Sequence, residues 1–131
     1  MMVRERMTKD PVTVGPDDTL AAAQAKMDAG GFRQVPVLTG EKLIGIITDR
    51  DVRQHGRQMR ITKVSEVMTG EVLTVTPRTS LDEVARILLK HKIGGLPVVA
   101  GEKLVGIITI TDLLQAFVDL MKSLAKDTAS P

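Results

Sequence analysis

The chain has 131 residues, 43% of them apolar, a formal net charge of +2, no cysteine and only two aromatics, Phe32 and Phe117. That length fits one compact unit with an aliphatic core; the absence of cysteine excludes disulfides and thiol chemistry, and no apolar run approaches the ~20 residues of a membrane span. The small charge does not argue for nucleic acid, no signal-peptide pattern opens the chain, and a cytoplasmic setting is expected.

In chain order, residues 3–7 read as a short helical turn, followed by a short strand at 12–14 that Pro16 ends. Leu20, Ala23 and Met27 mark a helix that Gly30-Gly31 closes. Residues 34–39 and 42–48 read as two strands around a Gly40-Glu41 turn, and their continuous Leu/Ile/Val runs suggest burial on both faces. A short basic helix starts at Asp49, with Gly56 weakening it.

The whole series then recurs. Gly45-Ile46-Ile47-Thr48-Asp49-Arg50-Asp51 reappears as Gly106-Ile107-Ile108-Thr109-Ile110-Thr111-Asp112, 61 residues later (106 − 45). The same offset relates Met7-Thr8 to Met68-Thr69, Pro36-Val37 to Pro97-Val98, and Val3 to Val64. Residues 3–51 and 64–112 match at 19 of 49 positions, where chance gives roughly three at average residue usage. In the second copy the turn is 64–68 and the strands are 73–75, 96–100 and 103–109. Ser80 and Glu83 form a capping-box pattern, and Leu81, Val84, Ala85, Leu88 and Leu89 share one helical face. A longer helix from Thr111 carries Leu113, Leu114, Phe117, Val118, Met121 and Leu124 as an apolar stripe. Residues 125–131 lose the pattern and are expected to fray.

Each half thus reads strand–helix–strand–strand–helix. With Gly-h-h-Thr-x-x-Asp (h, apolar) between last strand and last helix, Met-Thr before the first strand and Pro-Val in the second, the chain closely resembles two tandem cystathionine-β-synthase (CBS) domains, a Bateman module. The resemblance implies an α/β (α+β) fold of two β-α-β-β-α domains, at 3–61 and 62–124, packed with pseudo-two-fold symmetry. It also implies a non-catalytic sensor of an adenine nucleotide or adenosyl ligand (AMP, ADP, ATP, S-adenosylmethionine or NADH) bound between the halves. Family members typically pair into a flat disc, so a homodimer covering the apolar stripe is expected, with an effector protein as reader.

The residues suit that chemistry. Asp51 or Asp112 can accept hydrogen bonds from a ribose diol, Thr48 or Thr109 can add a hydroxyl, and the following helix N-terminus favours phosphate. Adenine is expected near Ile93, its edge read by backbone at Arg33-Gln34 or Gly94-Gly95; the glycines leave the second pocket more open. Arg50 and Arg53 are candidates for a di- or triphosphate. Thr-x-x-Asp at a helix start is equally a capping pattern that needs no ligand, so an empty dimerisation scaffold stands as the rival reading. A nucleic-acid binder using 50–63 ranks third. With two histidines and no cysteine, a metal site is not expected, and no nucleophile–base arrangement or phosphate loop supports catalysis.

Overall fold

The computed structural model describes the backbone of residues 1–129 and the side chains of residues 1–127. A 3-10 turn at Val3–Glu5 precedes β1 (Thr8–Lys9), α1 (Leu20–Gly30), β2 (Gln34–Thr39), β3 (Lys42–Thr48) and α2 (Asp49–Arg53). The second copy has a 3-10 turn at Val64–Glu66, then α3 (Leu81–His91), β4 (Gly95–Ala100), β5 (Lys103–Thr109) and α4 (Ile110–Ala129). The expected α+β fold is present: antiparallel hairpins β2–β3 and β4–β5 are covered by helices.

Local chemistry explains the element ends. Thr19 Oγ1 accepts from Ala22 N at 3.1 Å and starts α1, and Gly31 at φ +70° ends it in the left-handed region where glycine is unstrained. Ser80 Oγ accepts from Glu83 N and starts α3; the reciprocal Glu83 contact expected of a capping box is not made. Leu81, Val84 and Leu88 are buried as their spacing predicts, but Leu89 is 78% exposed; Ile87 packs against the core instead.

Three expectations are corrected. Residues 12–14 and 73–75 form no strand; each contributes one parallel bridge, Val14 to Val37 and Val75 to Val98. The last helix starts at Ile110 rather than Thr111, and it continues to Ala129 through the segment expected to fray. Residues 130 and 131 lie outside the described part.

The two copies interlock. Val3, from the first copy, is fully buried among Val75, Leu81, Val84 and Leu96 of the second. Val64 is buried among Val14, Leu20, Val35 and Ile47 of the first. The exchange is tied by paired backbone bonds: Val3 N to Thr79 O and Val64 N to Asp18 O, both 2.8 Å. β1 then pairs with Ile107 and Gly106, and Thr69 with Ile46, so each Met-Thr segment is a strap over the opposite copy's last strand. The hairpin tips meet at Lys42 and Lys103, flanked by exposed Lys42–Glu102 and Lys103–Glu41 ion pairs that contribute little.

The straps explain the motif glycines. A Cβ on Gly106 would lie 2.8 Å from Thr8 O and 2.8 Å from Met7 Sδ; on Gly45 it would lie 3.0 Å from Thr69 O and 2.5 Å from Met68 Sδ. Gly106→Ala is therefore expected to destabilise the fold by about 1–3 kcal/mol, the usual range for overpacking. Gly70→Ala, with nothing within 4 Å, should stay within about 0.5 kcal/mol. Chemical denaturation of the two variants checks this; equal effects would mean the strap yields freely.

Candidate functional site

The two Gly-h-h-Thr-x-x-Asp stretches end β3 and β5 and turn into α2 and α4. At the first corner Thr48 N donates to Asp51 Oδ2 at 2.9 Å and Asp51 N donates to Thr48 Oγ1 at 3.2 Å. At the second, Thr109 N and Thr109 Oγ1 donate to Asp112 Oδ2 at 2.9 and 3.1 Å, and Asp112 N donates to Thr109 Oγ1 at 3.3 Å. Both pairs are thus complete helix caps. Capping uses one carboxylate oxygen only: among the described residues Oδ1 of Asp51 and of Asp112 accepts no hydrogen bond. At Asp112, Oδ2 already accepts two hydrogen bonds, from Thr109 N and Thr109 Oγ1.

A cleft of about 1150 Å³ opens between the halves. Thr48, Arg50, Arg33 and Gln34 line it from the first copy, and Thr109, Asp112, Ile93, Gly94 and Gly95 from the second. Asp51 and Arg53 do not line it. Asp51 makes the same cap as Asp112 but lies off the cleft, and Arg53 pairs with Asp49 at 3.0 Å one helical turn back, beside a separate shallow hollow formed with Gln24, Asp28 and Met59. The basic residues beyond, Arg57 and Arg60, are exposed outside the cleft.

The cleft also contains residues the sequence reasoning passed over: Thr8 and Thr69 from the straps, and Asp10 with its equivalent Glu71. The 61-residue offset held the signal, because each pair occupies matching positions of the two copies.

Charge is uneven. Arg33 and Arg50 have no ion pair among the described residues, and their equivalents are the uncharged Gly94 and Thr111. The backbone expected to read a base edge is partly spent. Arg33 O accepts from Asp49 N at 2.9 Å, and Gly94 O from Ile110 N at 3.0 Å. Nor is the second pocket simply the more open one. A Cβ on Gly95 would collide with Gln34 Nε2, which reaches over it from the first copy, and would meet Ile108 O at 3.1 Å.

Away from the cleft, α4 keeps Leu113 and Ala116 against the core and leaves Leu114 60% and Phe117 58% exposed, with Val118 and Met121 also exposed. Arg6 donates to Asp119 Oδ2 at 2.6 Å, tying the N-terminal segment to α4. That hydrogen bond, with a second from Gln115, holds the Asp119 carboxyl below the usual carboxylate range. No helix among the described residues is long and apolar enough to cross a membrane.

Comparison with known proteins matches the CBS domain at residues 3–57 and 64–119. The CBS domain-containing protein YhcV of Bacillus subtilis (strain 168) is 35% identical over 115 residues, covering 85% of this chain and 81% of YhcV. Among solved structures, CBSX2 in complex with AMP has a TM-score of 0.81 at 26% identity, covering 92% of this chain and 98% of that one. The CBS domain pair of protein MJ0100, in complex with 5-methylthioadenosine and S-adenosyl-L-methionine, has a TM-score of 0.84 at 28% identity, covering 91% and 97%. The chain also matches inosine-5'-monophosphate dehydrogenases, such as that of Korarchaeum cryptofilum, but spans only 22% of that protein's length.

Proposed function

The chain belongs to the CBS-domain family, with two copies in tandem, and from that premise we propose that it is a non-catalytic sensor of an adenine nucleotide or related adenosyl compound. The ligand occupies the cleft between the copies and shifts their relation, or that of two chains, which an effector protein reads. The observation that carries this reading is the second corner. A half-buried carboxylate there spends one oxygen on its cap and faces the cleft, beside the N-terminus of a 20-residue helix whose dipole favours phosphate. The similar pairs solved with AMP and with adenosyl compounds support the same ligand class.

A melting-temperature screen against AMP, ADP, ATP, S-adenosylmethionine and NADH tests the reading. At 100 times its dissociation constant a ligand adds about 2.7 kcal/mol, a shift of several degrees for a chain of this size. No shift with any of the five would leave the scaffold reading, which the complete caps at both corners favour.

Of the two candidate arginines only Arg50 lines the cleft, and it is assigned the far end of a phosphate chain long enough to reach across from the second corner. Arg50→Ala is expected to weaken ATP by roughly 1.5–3 kcal/mol, the range for a charged hydrogen bond, and to leave adenosine nearly unchanged. Arg53→Ala should alter neither. Calorimetry with both ligands decides, and equal losses for ATP and adenosine would remove Arg50 from the phosphate site.

The exposed Leu114, Phe117, Val118 and Met121 form a contiguous apolar run on α4 of the kind that marks an interface, and we assign it to a homodimer. Phe117→Glu should convert a dimer to monomer in light scattering at micromolar concentration. A wild-type monomer there would contradict the assignment.

A further inference from the structure

The two copies differ at the place where they face each other. Gln34 starts β2 and its equivalent, Gly95, starts β4. The Gln34 side chain crosses from the first copy and rests on the backbone of buried Gly95; nothing returns from Gly95. The carboxamide makes no hydrogen bond to the protein among the described residues, so nothing fixes it in that position. It is half-buried in the cleft, with single-bond rotations available to swing it to either side of the axis.

The cleft's roughly 1150 Å³ exceeds the 300–1,000 Å³ typical of one small-molecule pocket, and both threonine corners open into it. Between the copies, the Gln34 side chain reaches from the start of β2 onto the start of β4 within this cleft. A flat ring approaching the Gly94-Gly95 backbone needs the space that Gln34 now fills, and to enter it must turn the carboxamide toward the first copy.

Building on the proposed adenosyl-ligand site, we propose that Gln34 restricts the cleft to one ligand per chain, because filling one half pushes this side chain into the other. The ligand lies in the Gly94-Gly95 half, where Asp112 lines the cleft and Asp51 has no counterpart role. With a small residue at position 34 the halves become independent.

Titration calorimetry with AMP tests this on the full chain, wild type against Gln34→Gly and Gln34→Ala, with a melting curve to show that each variant folds. The alanine variant retains a Cβ at the strand start and decides the matter if the glycine variant does not fold. Expected stoichiometries are one AMP per chain for wild type and two for the variants. Two per chain in wild type, or one in every folded variant, overturns the role of Gln34 and leaves the sensor reading intact. No AMP binding by wild type overturns this inference, and the five-ligand melting screen then decides the sensor reading separately.

Discussion

Ile108→Ala is expected to lower stability by about 2–5 kcal/mol, the range for removing a large aliphatic side chain from a packed core. Ile108 is fully buried in the second copy's cluster and immediately precedes Thr109, so the cavity forms directly beneath the second corner. Leu89→Ala removes comparable apolar bulk from a side chain that is 78% exposed and should stay within about 0.5 kcal/mol. Although Ile108 belongs to one copy, the loss should appear as a single cooperative transition. Val3 and Val64 each sit in the opposite core, so neither copy can open while the other remains sealed. With no tryptophan or tyrosine in the chain, circular dichroism is the suitable probe. Two separated transitions, with only one moved by the substitution, would contradict the interlocked arrangement.

The second large effect is on ligand response. Asp112→Asn keeps an oxygen able to accept from Thr109 N, so the cap survives and unliganded stability should fall by about 1 kcal/mol or less. The other position becomes an NH2 group, which donates where Oδ1 accepted. The ribose contact is then lost, and the ~2.7 kcal/mol of stabilisation at 100 wild-type dissociation constants should largely vanish. Asp51→Asn should matter less, because Asp51 does not line the cleft. The readout is the melting temperature with and without AMP. An unaltered AMP shift in both single variants and in the double variant would leave Asp112 as a cap and nothing more.

Local patterns in the sequence were reliable where the deciding physics is local. The repeat, the two hairpins with their glycine turns, the buried faces Leu20–Ala23–Met27 and Leu81–Val84–Leu88, and the threonine caps all follow from spacing and backbone chemistry. What could not be read is what depends on the opposite copy. Val3 and Val64 are plainly apolar, but nothing near them in the chain says that each completes the other copy's core. Gly45 and Gly106 look like strand glycines until the straps of Thr69 and Thr8 are seen crossing them. The local pattern gives Gln34 only a backbone role at its own pocket, whereas its side chain lies over Gly95. The end of α4 was misread for another reason. Loss of apolar periodicity at 125–129 signals loss of packing, not loss of helix, and Ala and Lys there are good helix formers. At the site, the same Thr-x-x-Asp pattern caps both helices, yet Asp112 lines the cleft and Asp51 and Arg53 do not; a motif fixes residue types and their local cap, not which of them faces a cleft shared with the other copy.

Amide chemical shifts of the isotope-labelled chain titrated with AMP test the central claim most directly, because they report where a ligand sits without any substitution. The account predicts saturable shifts concentrated at Gly94, Gly95, Thr109, Thr111 and Asp112, with Gln34 moving across the cleft from them. Saturable shifts confined to the exposed 53–60 segment or to the α4 stripe, with the corner residues unmoved, would contradict it.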